Sequence, residues 1–368
     1  MTLKRLFITN LRNLNAVDIR PSHRVNFIFG PNGSGKTSIL EAISLLGLGR
    51  SFRSHKLKPL INRNADTLTV FGSLEWNSSE LPIGIQRNLG GQSWIKVDGK
   101  LVNSAAKLAE HLPLQLIDAH SFLLLEGVPK IRRQFIDWLV FHVKPEFLSV
   151  WKTAQLCIKH RNSLLRRGRI DRLELAPWDL ELAKAATDID RLREETITAF
   201  VSQLQLLIEE FITIENLTLN YFRGWDRELA YSEVLEKGLE RDSTLGHTGS
   251  GPHRADLKIR IGNENAASIL SRGQQKLLVC AMRIAQGVVF KQLTGKCCVY
   301  LIDDLPAELD QVYRRRLASW LDQISSQVFV TGIEKDVLLQ SWPSLQQTER
   351  SLFHVEHGQV HLINQEFD

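Results

Sequence analysis

Gly30-Pro31-Asn32-Gly33-Ser34-Gly35-Lys36-Thr37 follows directly on the apolar run Val25–Phe29. The pattern is G-x-x-x-x-G-K-[ST], read as strand, glycine-rich loop and then helix. Gly30, Gly33 and Gly35 let backbone N–H groups turn inward and approach phosphate oxygens without a side chain in the way. A helix from Lys36 to about Leu46 aims its N-terminus at the same anion. Lys36 adds a point charge for β and γ phosphates, and the Thr37 hydroxyl is placed to bind Mg²⁺. Gly30 to Thr37 are therefore the expected nucleotide-binding residues, with ATP and Mg²⁺ as cofactors. An ordinary glycine-rich turn would not need both flanks.

Such a loop needs a carboxylate at the end of another strand. Cys297–Ile302 is a compact apolar run ending in Asp303-Asp304. Asp303 is assigned to the metal and Asp304 to water positioning or general base catalysis, with Lys36 as the other catalytic residue. Glu308-Leu309-Asp310 follows, and an amphipathic helix begins at Tyr313-Arg314-Arg315-Arg316-Leu317. Between the loop and the acids lies Leu270-Ser271-Arg272-Gly273-Gln274-Gln275. This resembles the L-S-G-G-Q signature of ABC-type ATPases, with Arg272 in place of the first glycine, and an apolar helix Lys276–Gln286 follows. The resemblance implies that Ser271, Arg272, Gly273 and Gln274 close on the γ-phosphate of the opposite subunit's nucleotide. A serine-capped helix is the plainer reading of the segment taken alone. The last expected element is the strand Gln327–Val330, followed by Thr331-Gly332. ABC-type ATPases commonly place a histidine there as a γ-phosphate sensor; Thr331 offers only a hydroxyl.

The 368 residues suffice for one large domain or two, and 43% hydrophobic residues give a sizeable core. A formal net charge of +5 suits a polyanionic partner without requiring one. The four cysteines form no C-x-x-C pair, which speaks against a zinc site or disulfide framework and fits a reduced cytoplasm. No run reaches the ~18 uninterrupted apolar residues of a membrane span. The first hundred or so residues read as strands around one helix: Leu3–Thr9, Asn15–Ile19, Val25–Phe29, Thr67–Trp76, Pro82–Gln86, Trp94–Val97 and Leu114–Ile117. Ser104 is placed to cap a short helix through His111. After about Ser121 the period becomes helical. Leu182, Ala185, Ile189, Leu192, Thr196, Phe200, Leu204, Leu207 and Phe211 step by three or four, the stripe of one long amphipathic helix. Strand character returns at Leu217–Phe222 and Asp256–Ile261. The expected architecture is an α/β ABC-type P-loop ATPase head with an inserted helical arm. Residues 1–112 and 246–368 form the head, and 113–245 the arm.

Several segments narrow the resemblance: Leu3-Lys4-Arg5-Leu6 with Asn10-Leu11-Arg12-Asn13-Leu14, Gly49 to Ser54, Gly127-Val128-Pro129-Lys130-Ile131-Arg132-Arg133, and Gly251-Pro252-His253-Arg254-Ala255-Asp256. In this order and at this length they resemble the RecF family of bacterial recombinational-repair ATPases, from the first residues to about Thr331. One departure is clear. RecF proteins tend to carry Pro-Glu or Pro-Asp before the G-x-P-x-x-R-R segment, where this chain has Ala119-His120. Gln115 is a substitute candidate for nucleotide sensing. The resemblance implies a cytoplasmic, nucleoid-associated protein that dimerises on ATP and binds duplex DNA and single-strand gap junctions. It implies partnership with RecR, RecO and RecA, and slow, DNA-stimulated hydrolysis that resets the dimer.

Candidate DNA contacts are Arg161, Arg166, Arg167, Arg169 and Arg172, with Lys159, around Gly168. Arginines suit phosphates, and counterion release supplies affinity; the alternative is a solvated helix end. Arg132 and Arg133 either contact DNA or brace the interface between lobes, Arg50 and Arg53 touch DNA or nucleotide, and Arg314 to Arg316 form an exposed helix face or dimer contact. No base-reading helix-turn-helix is evident, so backbone binding is expected. His253 reads as a structural hydrogen-bonding residue. A transporter-associated subunit would lack the long insertion and basic arm. A structural SMC-like protein would need longer coiled coils. A fused nuclease would need more chain than follows Asp310.

Overall fold

The computed structural model describes residues 1–54, 56–76, 79–167, 171–211 and 214–363. The chain divides into two compact units, Met1–Ser121 with Met282–Asp368, and Phe122–Ala281.

The first unit is built around the helix Lys36–Leu48, of which only Thr37 and Leu48 escape burial. A helix with no wet face needs apolar cover on all sides, and two sheets supply it. One is antiparallel throughout, in the order Leu14–Ile19, Thr2–Leu11, Thr67–Trp76, Ser79–Asn88, Ser93–Val97, Lys100–Val102. The other runs Gln359–Leu362, Arg350–Glu356, Val25–Phe29, Gln327–Gly332, Val299–Ile302, Leu114–Ile117, and is parallel except for the terminal hairpin. Leu3, Leu6, Ile8, Ile39, Ile43, Leu46, Leu301, Phe329 and Phe353 belong to one continuous core. Buried Gln327 ties the two sheets together. Its Nε2 donates to the Leu3 and Ser22 carbonyls, and its Oε1 accepts the Leu3 N–H at 2.7 Å. Among the described residues two strands follow Gln327–Gly332, so it is not the last element. The first of them, Arg350–Glu356, lies directly against the loop-bearing strand.

The second unit is mostly helical: Pro129–Val143, Phe147–Leu165 and the 40-residue Arg172–Phe211. At 1.5 Å per residue the last is about 60 Å long. Leu182, Ala185, Ile189, Leu192, Thr196, Phe200, Leu204 and Leu207 are all buried, as the period requires. Strands Leu217–Phe222, Asp256–Ile261 and Glu264–Asn265 form a small antiparallel sheet. That pairing explains why residues 246–281 associate with the arm rather than with the head, where the sequence placed them. Asp256 also takes a bidentate bond from Arg132, at 2.7 and 3.0 Å, and the Pro252 carbonyl accepts from Arg193. The unit boundary falls inside the helix Arg272–Thr294. By length and composition this helix is apolar enough to cross a membrane, but 67% of its most apolar window is buried in the protein, as in a core helix.

Candidate functional site

Register in the parallel sheet brings the expected site together. Thr331 pairs with Ile28 and Gly332 with Phe29, while Val330 and Ile117 both pair with Ile302. The phosphate loop, Asp303, Thr331 and Asp118 therefore gather at the C-terminal ends of neighbouring parallel strands, where open α/β sheets bind ligands.

Gly30 has φ 146°, and a Cβ there would sit 2.1 Å from the Val355 carbonyl oxygen. Gly35 has φ 120°, and its Cβ would sit 2.9 Å from the Leu14 side chain. The loop is held from both sides. Asn13 Nδ2 donates to the Gly33 and Ser34 carbonyls at 3.2 and 2.9 Å, and the Gly358 N–H donates to the Ser34 carbonyl at 2.9 Å. Ser34 is buried, whereas Pro31, Asn32 and Gly33 are exposed. Lys36 Nζ donates to the Gly30 and Pro31 carbonyls at 2.9 Å each. Burial lowers the Lys36 pKa, against the pull of Asp304 and Asp303.

The acid pair is bound to the loop through one oxygen. Asp303 Oδ1 accepts the Thr37 hydroxyl at 3.0 Å and the Thr331 hydroxyl at 2.8 Å. The Asp304 N–H donates to Thr331 Oγ1 at 2.7 Å. Burial raises the Asp303 pKa, opposed by Thr331, Thr37 and Arg53 and reinforced by Asp118. The donor set fits Mg²⁺: one hydroxyl and one carboxylate, both hard oxygens, leave the remaining positions for water and phosphate. Among the described residues no cluster of three or more His, Cys, Asp or Glu side chains could hold a metal.

Around these groups lies a cleft of about 1160 Å³, lined by Lys36, Thr37, Asp303, Asp304 and Thr331 and by residues of the segment from Arg53 to Ala65. That segment contributes Arg53, Lys56, Lys58 and Arg63, a cationic rim suited to a polyphosphate. Arg12 also lines the cleft, but its guanidinium is spent on buried Glu41 in a bidentate pair at 2.8 Å. Asn13, Arg12, Asp118 and the hairpin containing Gly358 were not singled out from sequence as parts of the site. Asp118 had a signal: like Asp303, it is the first residue after a short apolar strand.

The signature segment lies in the other unit. Ser271 and Gln274 cap the helix start reciprocally: the Ser271 N–H donates to Gln274 Oε1 at 3.0 Å, and the Gln274 N–H to Ser271 Oγ at 3.3 Å. Ser271, Arg272 and Gly273 are exposed, and the space where a Gly273 Cβ would lie is open. Arg272 pairs with Glu126 and lies over the Phe122 ring.

Several expectations need correction. Arg161 is fully buried, bonded through Nε to Asp179 and through Nη1 to Asp242, each at 2.7 Å, so it cannot reach DNA. Gln115 lies two residues inside its strand and bonds Gln286 and Arg283, turned into the core rather than to the cleft. His120 is exposed, 3.6 Å from Asp118. Arg132 and Arg133 brace the second unit internally, bonding Asp256 and the Ala255 carbonyl. Arg314 is buried against the Leu309 carbonyl rather than exposed. Arg166, Arg172 and Lys159 are exposed, and exposed Arg167 pairs with Glu174 at 3.1 Å. Gly168 and Arg169 lie outside the described residues. His253 Nε2 lies 3.0 Å from the Thr248 carbonyl, which makes it the donor, and burial pushes the pKa of this imidazole down to about 4.

The family model of the RecF/RecN/SMC N-terminal domain matches residues 2–357. The chain is 54% identical over 361 residues to the DNA replication and repair protein RecF of Cellvibrio japonicus (strain Ueda107), covering 98% of this chain and 99% of that relative. It is 48% identical to the protein of the same name from Pseudomonas entomophila (strain L48), covering 98% of each. The solved structure of the recombination mediator protein RecF with ATP, from the RecFOR pathway, superposes with a TM-score of 0.85 at 25% identity, over 98% of this chain and 99% of that one. An SMC head bound to the C-winged helix domain of ScpA superposes at 0.59 with 15% identity, over 99% of this chain and 97% of that one, which speaks for the fold alone. With a nucleotide cleft of ABC-type construction and sequence agreement over nearly its whole length, the chain belongs to the RecF family of DNA replication and repair proteins.

Proposed function

We propose that the chain is an ATP-gated DNA-binding protein of recombinational repair whose two copies sandwich ATP. The observation that carries this reading is the set of bonds joining Thr37, Asp303, Thr331 and Asp304 beside Lys36 in one cleft. Asn32 to Thr37 cradle the triphosphate through backbone N–H groups, and Lys36 sets its charge against the terminal phosphates. Thr37 and Asp303 would hold Mg²⁺, which when bound neutralises charge developing on the phosphate oxygens. Asp304 orients the attacking water and accepts its proton. It is one methylene shorter than a glutamate, in keeping with slow turnover. Ser271 to Gln274 of a second copy close on the γ-phosphate, which the exposure of that helix start permits.

The closed dimer engages duplex DNA and gap junctions through backbone phosphates, with Arg166 and Arg167 as contacts and Arg169 as a further candidate. A solved structure of RecF, a recombination mediator protein in the RecFOR pathway, supports RecR and RecO as partners; RecA downstream, and a place in the cytoplasm and on the nucleoid, belong to the same reading. The test is retention of duplex DNA across a salt series, with and without ATP. Retention should require ATP and fall steeply with salt. Replacing Arg166 and Arg167 by alanine removes four arginines from the two-fold dimer and should reduce the log–log salt slope by about 4. Binding that ignores ATP would overturn the gate, and an unchanged slope would overturn the two contacts.

A further inference from the structure

Thr331 occupies the place where ABC-type ATPases commonly carry a γ-phosphate-sensing histidine, yet its hydroxyl is already engaged on both sides. It donates to Asp303 Oδ1 at 2.8 Å and accepts the Asp304 N–H at 2.7 Å. A hydroxyl has one proton, and here the metal-binding carboxylate takes it. Asp304 has φ 50° and ψ 52°, a left-handed conformation uncommon for a residue with a Cβ, though aspartate tolerates it better than most. Thr331 Oγ1 is the side-chain anchor of that kink. The anchor is itself enclosed: Thr331 is buried and sits in a strand paired on both sides, with the loop-bearing and the acidic strand.

We propose that Thr331 is a positioning residue for the acid pair. One hydroxyl fixes both the direction of the Asp303 carboxylate toward Thr37 and the backbone turn that presents Asp304 to the cleft. Thr331 thus sets metal affinity and turnover rather than reading the γ-phosphate. The inference rests on the ATPase reading of the cleft.

The experiment uses the full chain and its Thr331→Val and Thr331→Ser variants. Val keeps the shape and removes the hydroxyl; Ser keeps the hydroxyl. Mn²⁺ stands in for Mg²⁺ and is titrated by electron paramagnetic resonance in the presence of ATP; ATP binding without metal and ATP turnover are measured alongside. Thr331→Val should bind Mn²⁺ about 10- to 100-fold more weakly and lose turnover by a similar factor, the range seen when partners of metal ligands are removed. Metal-free ATP binding should stay within about twofold, and Thr331→Ser should restore Mn²⁺ binding and turnover. If Thr331→Val does not fold, Thr331→Cys, with a much weaker donor, takes its place. Parent-like Mn²⁺ affinity and turnover in the hydroxyl-free variant, or equal damage in Thr331→Ser, would overturn the inference alone. A parent chain that binds no ATP would overturn the ATPase reading and the inference with it.

Discussion

Replacing Ser271 separates its role in its own helix from its role across a dimer seam. Its hydroxyl accepts the Gln274 N–H at 3.3 Å, while its own N–H donates to Gln274 Oε1 at 3.0 Å. Ser271→Ala removes that cap, at a cost of about 1 kcal/mol in local stability. Ser271→Asp keeps a cap acceptor, so the helix start survives. Both variants take a hydroxyl donor away from an ionised phosphate, worth about 1.5–3 kcal/mol per site. A two-fold dimer contains two such sites, so the loss doubles to about 3–6 kcal/mol. That weakens pairing by about 10²- to 10⁴-fold. The Asp variant adds like-charge repulsion against the γ-phosphate. Sedimentation velocity over a protein concentration series with ATP and Mg²⁺ reads the pairing constant. Filter binding of labelled ATP at concentrations where the parent is monomeric reads the lone chain, which should bind ATP as the parent does. A Ser271→Asp chain that pairs on ATP as tightly as the parent would refute the composite site.

Arg161→Met leaves Asp179 without its cation and buried Asp242 with only Arg241, at 3.5 Å, and should cost about 3–5 kcal/mol of stability in urea melts. A loss below ~1 kcal/mol would show that the buried charges are solvated or rearranged. His253 supplies a pH signature. Its folded pKa, about 4, lies below the unfolded value of 6.5, so between those values the unfolded chain binds more protons. Stability should therefore fall as pH drops from about 6.5 to about 4, by about 2 kcal/mol from this group once partial exposure is allowed for. His253→Asn should flatten that part of the pH–stability curve, and an unchanged curve would remove His253 as its cause.

The phosphate loop was legible because its chemistry is local: eight consecutive residues between an apolar strand and a helix contain it. The acid pair was legible for the same reason, and the long-helix stripe from Leu182 to Leu207 because period alone specifies a buried face. Asp118 and Thr331 each lie at the end of a short apolar strand, a local signal, but what they do there is set by register between parallel strands, which neither neighbourhood reveals. The Arg350–Glu356 strand was missed although it is an interior strand, paired on both sides. Arg161 was misread by composition, counted with neighbouring cations as one basic cluster. The helical period had the answer: Phe147, Ala154, Cys157, Ile158, Arg161 and Leu165 are the buried positions of one helix. A charge on that stripe has to find partners inside the protein.

The strand Val25–Phe29 emerges early in synthesis, yet one of its two neighbours, Arg350–Glu356, and the hairpin turn that bonds Ser34 are made hundreds of residues later. Until then its hydrogen-bonding edge is bare, a known invitation to wrong pairings. The other neighbour, Gln327–Gly332, is nearly as late. The head's nucleotide grip therefore cannot close until the chain as far as Gly358 is made, and chains cut short before residue 350 would carry the phosphate-loop sequence without the wall that shapes it.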